Sequence, residues 1–166
     1  GLSTDYTVKR QGKTVRVQAV KDVSFTLGKR EVLGIVGESG CGKTSVGRSI
    51  VRLAKPHQGA VLFGGQDIFT AGREDLKKLR LKIRMVFQDP FASLNPRRSI
   101  GESIAETGDI HGLFKDRADR LRQVQQALAN VGLDGSFASR YPHELSGGQR
   151  QRVGIARAIL PAPDVV

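Results

Sequence analysis

Three observations predict a mixed α/β fold with an antiparallel β part and a helical part. Residues 37–45 read GESGCGKTS, a complete G-x-x-x-x-G-K-[ST] phosphate-binding loop set between an apolar run and a helical pattern. Val15, Val17 and Ala19, then Val23, Phe25 and Leu27, alternate at period two, as half-buried antiparallel strands do. From about Pro90 to Leu160 the apolar period becomes helical. A chain of 166 residues is long enough for a single domain with a core of its own.

The elements follow in order. Residues 31–36, EVLGIV, read as a short buried strand that delivers the chain to the loop. Val46, Ile50, Leu53 and Ala54 recur at helical spacing after it, and residues 55–59, KPHQG, form a turn. Strands are expected over 60–63 and 83–87. Leu121, Val124, Leu128 and Val131 mark a helix that Gly132 is placed to end. Ser146 with Gln149 three residues on is a capping box, so the last helix opens there and carries Val153, Ala156, Ile159 and Leu160. The resulting division is 1–89 for the α/β core, 90–160 for the helical region and 161–166 for the start of a further strand. No internal repeat or low-complexity segment interrupts it.

The chemistry resides in two glycine clusters. Gly37, Gly40 and Gly42 let the main chain curl around an oxyanion, with Glu38, Ser39 and Cys41 completing the loop. Lys43 adds a fixed cation, the Thr44 hydroxyl is placed to reach Mg²⁺, and the helix beyond turns its positive end to the same point. In the second cluster, Leu145-Ser146-Gly147-Gly148-Gln149, two glycines follow directly on a helix cap, at about 1 kcal/mol each relative to alanine. Close approach of a phosphate to that backbone is one account, and an ordinary helix start of weak propensity is the other.

Together the two clusters resemble the nucleotide-binding domain of ATP-binding cassette (ABC) proteins, a P-loop NTPase core with an antiparallel β subdomain and a helical subdomain. GESGCGKTS is similar to the Walker A loop, Gln88 in MVFQDP to the Q-loop glutamine, and LSGGQ to the ABC signature. The stretch FQDPFASLNPR, residues 87–97, is similar to the ATPase subunits of dipeptide and oligopeptide importers, a group that includes nickel and glutathione importers. The resemblance implies ATP and Mg²⁺ as cofactors. It implies that residues 37–44 cradle the phosphates, Lys43 bridges the terminal pair, Thr44 binds Mg²⁺ and Ser45 faces the α-phosphate. Gln88 would complete the metal shell and sense the γ-phosphate, Tyr6 is a candidate for adenine stacking or for plain N-terminal packing, and the signature would serve a partner subunit's ATP. Arg30 stands where relatives usually carry glycine. The catalytic set on this reading is Lys43 and Gln88. The Walker B aspartate and the water-polarising glutamate would lie past Val166, so the 166-residue polypeptide is expected to be inactive as a hydrolase while the full subunit is an ATP hydrolase.

Composition fits such a subunit. Lys and Arg total 27 against 16 acidic residues, a net +11 that would ordinarily suggest nucleic acid. The basic residues are dispersed, however, from Lys29-Arg30 through Arg97-Arg98 to Arg150-Arg152. Only 5% of residues are aromatic and no stacking platform of the RNA-binding kind is present, which disfavours that partner. No apolar run reaches membrane-spanning length. The single cysteine, Cys41, suits a reducing compartment and reads as a small residue filling a tight loop. The expected partners are a second ABC ATPase subunit, identical or related, integral membrane permease subunits and, indirectly, a solute-binding protein. The expected place is peripheral, on the cytoplasmic face of a bacterial inner membrane. The competing reading is a soluble ABC ATPase of translation or DNA repair, followed by a non-hydrolysing nucleotide-binding regulator.

Overall fold

The computed structural model describes residues 1–10, 12–89 and 94–166, and for residues 8–10 and 13 it describes the backbone alone. The chain forms two compact units, residues 1–76 and 77–166, so residues 77–89, grouped by sequence with the α/β core, go with the second unit.

In the first unit β1 (Leu2–Arg10) pairs antiparallel with β2 (Lys13–Val23), in a register that matches Tyr6 with Val17 and slips on either side of Thr4. The alternation at Val15, Val17 and Ala19 therefore marks β2. Its partner is β1 rather than the second strand expected at Val23, Phe25 and Leu27, for β2 ends at Val23 and Phe25 and Leu27 are exposed outside any strand. Polar bonds fix the N-terminal end of β1. Ser3 N donates to Gln58 O at 2.9 Å and His57 N to Ser3 O at 2.9 Å, which zips the 55–59 turn onto the strand. The hydroxyls of Thr4 and Ser49, both fully buried, lie 3.2 Å apart and tie β1 to α1 (Lys43–Ile50). Asp5 is held between the Arg16 guanidinium and His57 Nδ1, the latter at 3.3 Å.

Residues 31–36 belong to no strand among the described residues, so the expected buried strand is corrected: Val32 is 99% and Val36 95% exposed. A strand is buried by its neighbours, and among the described residues none pairs with this segment. The strand expected at 60–63 shortens to β3 (Leu62–Phe63), which turns through two glycines into β4 (Gln66–Asp67). Arg30 adopts φ 63°, the left-handed geometry that a glycine would take more easily.

A helix absent from the sequence expectation, α2 (Arg73–Lys82), leads into the second unit with Glu74 and Asp75 in its first turn. Of the strand expected at 83–87 only Ile83 pairs, in a parallel bridge to Val165 that is closed by Arg84 N to Val165 O at 2.9 Å. Three helices make the core: α3 (Ile100–His111), α4 (Arg117–Asn130) and α5 (Gly147–Ile159). Ile100, Ile104, Val124, Leu128 and Val153 meet there, each at most 2% exposed. In α4 the stripe runs through Val124, Ala127 and Leu128, while Leu121 is 52% exposed, because at the helix's N-terminal end the inward face is taken by Asp119. Gly132 at φ 69° follows the C-cap Val131, where the sequence places the stop.

Candidate functional site

The phosphate-binding loop belongs wholly to the first unit. Gly40 and Gly42 have φ of 82° and 99°, and a Cβ on Gly42 would stand 2.2 Å from the carbonyl oxygen of Ala19 in β2. Glycine at 42 thus lets the start of α1 lie directly against the sheet. A Cβ on Gly37 would meet Cys41 Sγ at 2.6 Å, so the small thiol and the missing side chain fill one space, as expected for Cys41. The helix α1 has Gly42 as its N-cap, which offers no side chain to cap its first N–H groups. The Lys43 ammonium lies across the loop, donating to Gly37 O at 2.6 Å and Glu38 O at 2.7 Å. Thr44 is exposed and Ser45 half-buried. Beside the loop opens a cavity of about 510 Å³ lined by Ala19, Val20, Lys21, Val36, Cys41 and Lys43, among others. Uncapped N–H groups and an ammonium beside an open cavity, with the Thr44 and Ser45 hydroxyls next in sequence, are a donor set for an anionic oxygen ligand. Among the described residues no group of three His, Cys, Asp or Glu could hold a metal alone. A hard cation beside this loop would therefore need oxygens from the ligand and from hydroxyls such as that of Thr44.

Tyr6 sits in β1 and does not line that cavity; its hydroxyl is buried without a hydrogen-bond partner. Gln88 is exposed at a bend in the second unit. The segment that leads to it is anchored by Arg84, whose guanidinium donates to Thr107 Oγ1 of α3 at 2.8 Å. Burial, then the nearby charge of Arg157, holds that guanidinium below its ordinary pKa.

The signature residues open α5 in the second unit. Ser146 Oγ accepts from Gln149 N at 3.2 Å and Gln149 Oε1 accepts from Ser146 N at 2.8 Å, the reciprocal cap expected from sequence. Leu145 is buried in the helical core and anchors the turn, whereas Ser146, Gly147 and Gly148 are exposed. A Cβ on Gly147 or Gly148 would meet nothing within 4 Å. Packing among the described residues gives no reason for either glycine. Sequence reasoning passed over the residues just before the cap, where the rings of Tyr141 and His143 stack at 5.9 Å and 16°. In a chain so poor in aromatics, two rings this close to a glycine-rich cap were the available signal.

The family model described as ABC transporter matches residues 20–166. This chain belongs to that family. The ABC chain is 54% identical over 157 residues to the oligopeptide transport ATP-binding protein AppF of Bacillus subtilis (strain 168), covering 94% of its own length and 47% of that protein. It is 52% identical over 153 residues to the oligopeptide transport ATP-binding protein OppF of the same organism, covering 90% and 50%. The chain spans about half the length of these curated relatives. Among solved structures it is similar to the ATP-binding cassette MJ0796, in a dimeric post-hydrolysis state bound to ADP and Pi, with a TM-score of 0.83 and 28% identity over 98% of this chain and 68% of that one. The mixed α/β cassette fold is therefore as the sequence implies. Among the described residues no helix is long and apolar enough to cross a membrane.

Proposed function

We propose that this chain is the ATP-binding part of an importer's ATPase subunit, one that couples ATP binding and hydrolysis to uptake of peptides or a similar solute. The observation that carries the reading is the loop itself: an uncapped helix N-terminus with Lys43 folded over it, in a chain whose relatives are named as oligopeptide transport ATP-binding proteins. In this reading residues 37–44 present backbone N–H groups to the phosphates, Lys43 takes the terminal pair, and Ser45 lies toward the α-phosphate. By the family resemblance Thr44 and Gln88 would hold Mg²⁺, which when bound would neutralise charge on the phosphate oxygens. Tyr6 contributes an aromatic face to the base. Ser146, Gly147 and Gly148 offer a second helix N-terminus to the ATP of a second such subunit, identical or related. The open space over both glycines supports this, because it leaves room for a ligand carried by another molecule. ATP then favours the paired arrangement by binding it more tightly than the separate subunits. Permease subunits receive the movement, and a solute-binding protein supplies the cargo. The place of action is the cytoplasmic face of a bacterial inner membrane.

Isothermal titration of MgATP into wild type and Lys43→Ala tests the site. A charge-assisted bond contributes about 1.5–3 kcal/mol, so the variant should bind roughly 10- to 100-fold more weakly. Equal affinities would remove the loop from the proposal.

A further inference from the structure

The ring pair ahead of the signature is unusually well fixed for a surface feature. The turn Pro142–Glu144 is held on every side: Tyr141 N donates to Glu144 Oε2 at 2.6 Å, Leu145 N to Pro142 O at 3.3 Å, Arg150 Nη1 to Pro142 O at 3.0 Å, and Ile100 N to Arg140 O at 2.8 Å. Arg140 lies over the Phe137 ring at 4.0 Å, and Phe137 packs against the helical core. On this frame the rings of Tyr141 and His143 stack near-parallel, both residues exposed while Pro142 between them is buried. Burial does not account for two rings kept in solvent at fixed orientation. A flat, preformed face of this kind suits another flat ring.

Its distance from the cap defines the ring. One 3₁₀ turn at about 2.0 Å per residue, with extended residues at about 3.3 Å, sets an upper limit of roughly 13 Å on the separation of Tyr141 from Ser146. That is the reach from the terminal phosphate of a nucleoside triphosphate to its base. We infer that Tyr141 and His143 form a base-stacking subsite for the nucleotide whose terminal phosphate meets the N-terminus of α5, so that the signature end of the subunit reads a purine as well as a phosphate. The inference rests on the proposed approach of a second subunit's ATP to Ser146, and it adds a specificity that the glycines and the serine cannot supply.

The test is ATP-dependent dimerisation of the full subunit, followed by light scattering against nucleotide concentration, with ATP and UTP compared. Replacing both rings, Tyr141→Ala with His143→Ala, should raise the ATP concentration at the midpoint about tenfold and narrow its difference from UTP, leaving only what Tyr6 supplies. Tyr141→Phe with His143→Phe should restore the preference for ATP. An unchanged ATP midpoint in the alanine pair would overturn the inference, as would full rescue by Tyr141→Leu with His143→Leu, which would show apolar packing alone. Melting temperatures identify any variant that fails to fold, and the phenylalanine pair then carries the comparison. If Ser146→Arg leaves ATP-dependent dimerisation intact, the approach of a partner's nucleotide to α5 is itself wrong. If Ser146→Arg abolishes it while the ring variants match wild type, the stacking subsite alone fails.

Discussion

Gly40 and Gly42 differ in one respect that can be measured. Both have left-handed φ, 82° and 99°, so an L-residue at either carries about 1–2 kcal/mol of backbone strain. At Gly40 a new Cβ meets nothing within 4 Å, and the strain is the whole effect. At Gly42 the Cβ falls 2.2 Å from Ala19 O, where real contacts essentially never come under 3.0 Å, so α1 and β2 must part by 3.0 − 2.2 = 0.8 Å or more. Overpacking of that order adds about 1–3 kcal/mol. Gly42→Ala should therefore lose about 2–5 kcal/mol against 1–2 for Gly40→Ala. If the fold keeps the contact, the loss appears as a lower thermal midpoint. If α1 moves away, it takes its first N–H groups off the phosphates and the loss appears in ATP affinity. Circular dichroism melting with calorimetric titration of MgATP captures both routes. Equal effects at the two positions, or a Gly42→Ala protein matching wild type in both measurements, would refute the close approach of loop and sheet.

Further outcomes follow from the second unit. In the full subunit Ser146→Arg should block ATP-dependent dimerisation in sizing chromatography while calorimetric binding at the phosphate loop persists, because the cation obstructs the N-terminus of α5. Leu128→Ala removes a side chain with no exposure from the helical core and should lower stability by about 2–5 kcal/mol in urea, whereas Leu121→Ala, half-exposed, should stay within about 0.5 kcal/mol. The carboxylate of Asp119 accepts from Lys115 N and from Gln123 Nε2, each at 3.0 Å, and also from Arg122; the Lys115 N–H above all holds its pKa below the ordinary value. A depressed carboxylate stabilises the fold above its unfolded pKa of about 3.9, and that contribution is lost as pH falls through the lower folded value. The acid limb of the melting curve should therefore be shallower below about pH 4 in Asp119→Asn than in wild type.

What was legible in the sequence was local. The Ser146–Gln149 cap, the stop at Gly132 and the loop glycines each follow from two or three neighbouring residues, and each is found in place. The helix α2 was also legible, since Leu76 and Leu79 lie at helical spacing behind Glu74 and Asp75, although the sequence reading places no element there. The β1 strand was not legible. Only Leu2, Tyr6 and Val8 are apolar, with Thr4 interrupting their period of two, and pairing with β2 is supplemented by hydroxyl and ionic contacts. Residues 31–36 failed for the opposite reason. Their apolar run signals burial, but burial of a strand depends on neighbours distant in sequence, and none is found among the described residues. At the site, residue types announced Lys43 and Ser146 but could not reveal the Ala19 carbonyl under Gly42 or the orientation of the Tyr141–His143 rings.

The bonds of Lys43 to its own loop make ligand capture an exchange. An incoming oxyanion does not meet a free ammonium; it competes with the carbonyls of Gly37 and Glu38, which already accept at 2.6 and 2.7 Å. Each bond gained is partly cancelled by one released, so weak or singly charged anions have little advantage over the carbonyls. A polyanion, which adds Coulomb attraction that neutral carbonyls lack, shifts the ammonium outward. A loop that holds its lysine in this way would favour polyanions over small competing anions, and the same internal bonds tie the start of α1 back to Gly37 and Glu38.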